Sequence, residues 1–184
     1  MKNSPTRRSP FPLQQGDLDF LCSIYAAINA MAWRGEVSTL DEAAAPFKKA
    51  IDFIQAEKGW NLAASVCLGI DEDHYAELLT KLNWRPRREP ARNPSIDELE
   101  TALSATRAGV SPCAIISLIH PEDVGRPYHQ REAIHYTVAT AVTSDSILLQ
   151  DSAGTLAITR EGDKWLYGLK GNKRKPVRFG CLYS

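Results

Sequence analysis

The chain has 184 residues, of which 43% are hydrophobic and 24% charged, and its formal net charge is zero. This composition fits one soluble globular domain with a substantial core, and the balanced charge removes any general pull toward nucleic acid or an anionic membrane. No stretch approaches the roughly 18 apolar residues that a bilayer span requires.

Taken in chain order, residues 1–14 open with MKNSPTRRSPFP, which is charged but has no apolar run behind it. They read as a flexible arm and not as a signal peptide. Leu21, Ile24, Tyr25, Ile28 and Ala32 recur at helical spacing and predict an amphipathic helix over about 19–34. Thr39 with Glu42 forms a capping-box pattern that opens a second helix toward Lys58, with a kink or break expected at Pro46 and an end at Gly59. A third helix fits Asp71 to Leu82, and RPRREPARNP reads as an extended connector. Ser95 with Glu98 starts a fourth helix, ending at Gly109.

From there the pattern becomes apolar and β-branched. Strands are predicted at Cys113–Ile119, Ile134–Val142, Ser146–Gln150, Thr155–Thr159, Lys164–Leu169 and Val177–Tyr183. The expected fold is α+β in one domain, with a helical half over 15–109 packed on an antiparallel sheet or half-barrel over 110–184. The basic runs 85–92 and 170–178 read as solvated loop charge.

Cysteines stand at 22, 67, 113 and 181, with no CxxC pair. That spacing argues against a structural zinc site or a disulfide scaffold and makes a reducing compartment the default. Neither a metal nor a cofactor is expected. The compartment expected is the cytoplasm, or a destination reached by export without a signal peptide.

Cys22 falls in the first turn of the first predicted helix, after Asp17, Leu18 and Asp19. The start of a helix carries about half a positive charge, an environment that favours a thiolate. Helical phase puts Cys22 on the flank of the apolar stripe with Asn29 and Trp33, at the edge of the core. Free cysteines are most often small buried hydrophobes, and Cys67, Cys113 and Cys181 read that way.

A nucleophilic thiol needs a base and a group to orient that base. His135 opens the strand HYTVATAV and shares a face with Thr137, Ala139 and Ala141, while Tyr136, Val138 and Val142 face the other way. The small residues leave room for a large element, and the helix carrying Cys22 is the candidate. Asp151 ends the next strand. A three-residue turn, Thr143–Asp145, would pair Val142 with Ser146 and Thr137 with Asp151, placing His135 and Asp151 diagonally on one face.

QQGDLDFLCSIYAAINA, then HYTVATAV, then LLQDSAG resembles the papain-like cysteine peptidases, most nearly the small bacterial members similar to the double-glycine leader peptidases. The resemblance implies a Cys22–His135–Asp151 triad and a glutamine that donates to the oxyanion. Gln15 is nearest that glutamine's place, one residue early, and Gln14 stands next to it. The activity implied is hydrolysis of a peptide or isopeptide bond through an acyl-enzyme. Two alternatives use the same fold: acyl transfer or deamidation, as in transglutaminase-like enzymes, and a catalytically silent binding module.

The loop HPEDVGRPYHQREA leads into His135 and would wall a cleft, which makes His129, Tyr136 and Trp33 candidates for substrate contact, with Trp60 another. The expected partner is a protein or peptide substrate. An effector delivered into another cell and a self-processing enzyme are both compatible with a chain of this kind. Oligomeric state and substrate identity are not encoded in any motif.

Overall fold

Helix-forming and strand-forming segments keep to separate parts of the chain, and the layers of the fold follow from that segregation. The computed structural model describes residues 11–14, 21–56, 70, 72–84, 91–105, 109–124, 126, 135–168 and 174–184. Among them are helices α1 (Cys22–Trp33), α2 (Leu40–Ala56), α3 (Glu72–Lys81) and α4 (Ile96–Ser104). The strands are β1 (Ala91–Arg92), β2 (Ala114–Ile119), β3 (His135–Val142), β4 (Ser146–Gln150), β5 (Ala157–Glu161), β6 (Lys164–Tyr167) and β7 (Lys175–Tyr183). The expected α+β class is present. All pairings are antiparallel, in the order β1-β7-β2-β3-β4-β5-β6, and β6 pairs again with β7. The strands from β2 to β7 therefore close into a ring, with β1 as a short flap on β7.

Local chemistry sets the helix ends. The Thr39 hydroxyl accepts the Glu42 N–H at 3.2 Å, and the Glu42 carboxylate accepts the N–H groups of Ser38 and Thr39. Ser95 and Glu98 make the reciprocal capping box that starts α4. Such caps satisfy amide donors that a helix cannot satisfy itself, each contributing about 1 kcal/mol. At the far end of α1, Gly35 adopts φ +77° and the Glu36 N–H reaches the Met31 carbonyl, closing the helix in a Schellman turn.

Several expectations need correction. The break at Pro46 is absent, and α2 runs through it. Pro46 removes one intrahelical bond, but Ala43 before it and Ala50, Phe53 and Ile54 after it are all buried and hold the helix together. The fourth helix stops at Ser104, where Ala105 caps it, well before Gly109. The N-terminal arm is not loose over residues 11–14: Phe11 and Leu13 pack on the core, and the Leu13 N–H and C=O both bond the Asn29 carboxamide, at 2.7 and 3.2 Å. The expected end of α2 at Gly59 lies outside the described residues.

Two cores lie on opposite faces of the sheet. One joins α1, α2 and α3 to Ile115, Tyr136, Val138, Cys181 and Tyr183. The other gathers Ile116, Leu118, Ala139, Ile147, Leu149, Ile158, Trp165 and Phe179, with Leu99 and Leu103 from α4. Helix α1 therefore packs on the Tyr136/Val138 face of β3, and not on the row of small residues as expected. Thr137 and Ala139 of that row face the interior of the ring. A register shift at Thr140 reverses the alternation, so Ala141 pairs with the exposed Leu148, and Val142, expected on the opposite face, joins the interior core. Because α1 is covered on most sides, including by the 11–14 segment, Cys22, Ser23, Ala27 and Asn29 are buried along with its apolar stripe.

Candidate active site

The first residue of α1 is Cys22, preceded by Leu21, whose side chain caps nothing. The helix start is held from below by Tyr75 of α3, whose hydroxyl donates to the Ser23 carbonyl at 2.8 Å. Tyr75 in turn packs against Tyr136 and Tyr183, with ring centroids 4.3 and 5.1 Å away. This buried aromatic cluster locks α1 to the sheet at the end where the thiol sits. The Tyr136 backbone N–H points at Cys22 Sγ from 3.5 Å, so the first turn of α1 meets the first residues of β3 directly.

His135 and Asp151 come together across β3 and β4. His135 Nε2 lies 2.6 Å from Asp151 Oδ1. The expected three-residue turn is not what achieves this. Val142 pairs with Ile147 and not with Ser146, so four residues, Thr143 to Ser146, lie between the paired positions, the last of them already in β4. An even connection alone would put the two side chains on opposite faces. An extra residue in β3, between Ala139 and Ala141, shifts the ladder so that Ala139 pairs with Leu149 and Val138 with Gln150. This bulge at Thr140 restores the diagonal relation that brings imidazole and carboxylate together.

Asp151 is fully enclosed. Its second oxygen, Oδ2, accepts the Thr155 N–H at 3.1 Å and the Tyr167 hydroxyl at 2.9 Å. Burial disfavours its charged form, but the hydrogen bond and charge of His135, followed by the Tyr167 hydroxyl, outweigh that and hold the carboxyl below its ordinary value. The Thr137 hydroxyl lies beside it and acts in the same sense, without a hydrogen bond of good geometry. Burial by itself would lower the His135 pKa. Hydrogen bonds to Asp151 and Cys22, with the negative charge of each, reverse this and raise it to about 10. With Nε2 committed to Asp151, Nδ1 is the ring nitrogen left for the sulfur.

The result is an imidazole held between a carboxylate and a thiol. Exposure is 5% for Cys22, and for the side chains of His135 and Asp151 it is 19% and 0%. Chemically, the arrangement can carry a proton from the thiol to the imidazole while the carboxylate fixes the tautomer. Among the described residues no group of three His, Cys, Asp or Glu side chains could hold a metal ion, and no helix is long and apolar enough to cross a membrane.

The other expected site residues fare differently. Tyr136 does not line a cleft. Strand alternation turns its side chain into the core, where it is 1% exposed, and only its backbone N–H reaches the site. Trp33 is eleven residues along α1 from Cys22, a distance of about 16 Å at 1.5 Å per residue. Its indole N–H donates to the Pro112 carbonyl at 2.9 Å, tying the far end of α1 to the approach of β2. Gln15, His129 and Trp60 lie outside the described residues. Gln14 is described, and its Oε1 would stand 3.4 Å from a Cβ at Gly154, in the turn after Asp151.

Sequence reasoning missed Tyr167 and Thr155. A signal for Tyr167 existed: period-two alternation in KWLY puts it on the same inward face as Trp165. Nothing local marked Thr155, whose role depends on the turn geometry. Comparison of the chain with protein-family models, curated proteins and solved structures gives no match.

Proposed function

We propose that the protein is a papain-like thiol hydrolase that opens a peptide or isopeptide bond through Cys22, His135 and Asp151. The observation that carries this reading is the single imidazole bonded to Asp151 at 2.6 Å and coupled to the Cys22 thiol, although 16 and 113 residues, respectively, separate it from them in sequence. Structural ion pairs also bury a histidine against an aspartate, but they do not need a cysteine at a helix start on the ring's other nitrogen. The order of helical and strand halves, with nucleophile on the first helix and base on a strand, agrees with the resemblance noted in the sequence.

In the proposed cycle the Cys22 proton passes to His135, and the thiolate attacks the substrate carbonyl carbon. The resulting oxyanion is met at the positive end of α1 by the Cys22 backbone N–H, with a side-chain amide from Gln15, or from Gln14, as second donor. Collapse of the intermediate breaks the C–N bond, and His135 gives its proton to the departing amine. A water then attacks the thioester, its proton going to His135. Collapse breaks the C–S bond, releasing the acid, and the thiolate recovers the proton.

The direct test uses an electrophilic peptide probe and a proteome-wide cleavage screen. Wild-type protein should be labelled at Cys22 and should generate new peptide N-termini, or newly freed lysine ε-amines if the bond is an isopeptide, while Cys22→Ala does neither. Ammonia release from glutamine side chains without new N-termini would instead assign deamidation or acyl transfer to the same three residues. Full biological effect of Cys22→Ala would mean that the fold serves binding alone.

A further inference from the structure

Tyr167, at the end of β6, touches two members of the proposed triad at once. Its hydroxyl donates to Asp151 Oδ2 at 2.9 Å. Its ring lies against the His135 imidazole, with centroids 5.2 Å apart and planes tilted by 38°. The backbone around it is tied to the same turn a second time, since the Thr155 hydroxyl donates to the Gly168 carbonyl at 3.1 Å. Thr155 also gives its N–H to Asp151 Oδ2, so the end of β6 and the turn after β4 form one hydrogen-bonded unit around the carboxylate.

Resting on the thiol-hydrolase reading, we infer that Tyr167 is a positioning residue of the triad, whose hydroxyl sets how tightly Asp151 holds the His135 proton and whose ring stops the imidazole from turning. The titratable groups facing His135 among the described residues are Cys22 from α1, Asp151 after β4 and Tyr167 from β6, with Tyr75 of α3 behind the thiol. Each donor on Oδ2 draws charge away from Oδ1 and so weakens the pull of Asp151 on the imidazolium. Burial, and then the charge of Asp151, hold Tyr167 protonated as a donor through the ordinary pH range. The ring acts separately. An imidazole bonded at both nitrogens still has to keep its plane when one of those bonds opens as the proton moves, and a packed aromatic face prevents the swing.

The two roles separate in two variants. Tyr167→Phe keeps the ring and removes the hydroxyl, and Tyr167→Leu removes both. His135 titration is followed by NMR in a Cys22→Ala background, so that the thiol does not titrate alongside it. Tyr167→Phe should raise the His135 titration midpoint by about half a unit. With Cys22 present, Tyr167→Leu should slow alkylation of Cys22 by about tenfold relative to Tyr167→Phe at one fixed pH. An unchanged or lowered midpoint in Tyr167→Phe, or equal alkylation in the two variants, would overturn the inference. If Tyr167→Leu fails to fold, the Tyr167→Phe titration decides alone. The NMR reading does not depend on cleavage of any substrate, so a failed cleavage screen counts against the hydrolase reading and not against this one.

Discussion

Asp151 and His135 shift each other's ionisation in opposite directions across a 2.6 Å contact, and stability must then follow pH in a defined way. The His135 pKa is raised from 6.5 to about 10, so its contribution is complete below 6.5 and is lost as pH climbs through 10. The Asp151 pKa is lowered from 3.8, so its contribution is complete above 3.8 and is lost as pH falls through the folded-state value. Urea unfolding across pH should therefore show a plateau between about 4 and 6.5 and a decline toward 10. Asp151→Asn should flatten the alkaline decline, and an unaltered decline in that variant would show that the pair is not its source.

Thiol labelling separates reactivity from exposure. Cys113 is 9% exposed against 5% for Cys22, so access alone would favour Cys113. Burial raises the Cys113 pKa to about 11, leaving it a protonated and poor nucleophile at neutral pH. Iodoacetamide should modify Cys22 before Cys113, and His135→Ala should slow the Cys22 reaction by about tenfold or more. Peptide mapping by mass spectrometry after brief exposure reads both rates.

Asn29 is buried and bonds Leu13 in both directions, as a neighbouring strand would. Asn29→Leu leaves a donor and an acceptor of the Leu13 backbone unpaired and should cost about 1–3 kcal/mol of stability. Asn29→Asp keeps the acceptor for the Leu13 N–H but sets a carboxylate against the Leu13 carbonyl, and should fall between wild type and the leucine variant. Equilibrium denaturation orders the three.

Gly154 holds φ +79° in the turn that follows Asp151, and its N–H bonds the Asp151 carbonyl. A methyl group there strains the left-handed backbone by about 1 kcal/mol and meets the Gln14 side chain. Gly154→Ala should lower the melting temperature by a few degrees and slow turnover more than Trp33→Ala does. Trp33 is remote from the sulfur, so Trp33→Ala should leave kcat within about twofold, its cost appearing as lost stability through the Pro112 bond.

The parts of this geometry legible in the sequence were those governed by short periods. The helix start at Cys22 and the shared face of His135 with Asp151 follow from spacings of 3.6 and 2 residues, approximately. The register itself was reached by a different route from the one expected. A bulge at Thr140 offsets a four-residue connection, and nothing in TVATAVTSDS announces an extra residue. The face on which α1 packs depended on a three-tyrosine cluster drawn from α3, β3 and β7, contacts separated by scores of residues that no local pattern records. Tyr136 shows the limit most plainly. Its neighbour His135 belongs to the site, its own backbone reaches the sulfur, and its side chain lies in the opposite core.

The pairing of β7 with β1, β2 and β6 has a consequence for synthesis. Cys22, His135, Asp151 and Tyr167 all leave the ribosome before β7 does, yet the ring that encloses Asp151 has no seam until β7 is in place. A nascent chain therefore carries Cys22, His135 and Asp151 before the ring around Asp151 can close. Closure of the ring waits for a strand that comes last in the chain order of the described elements.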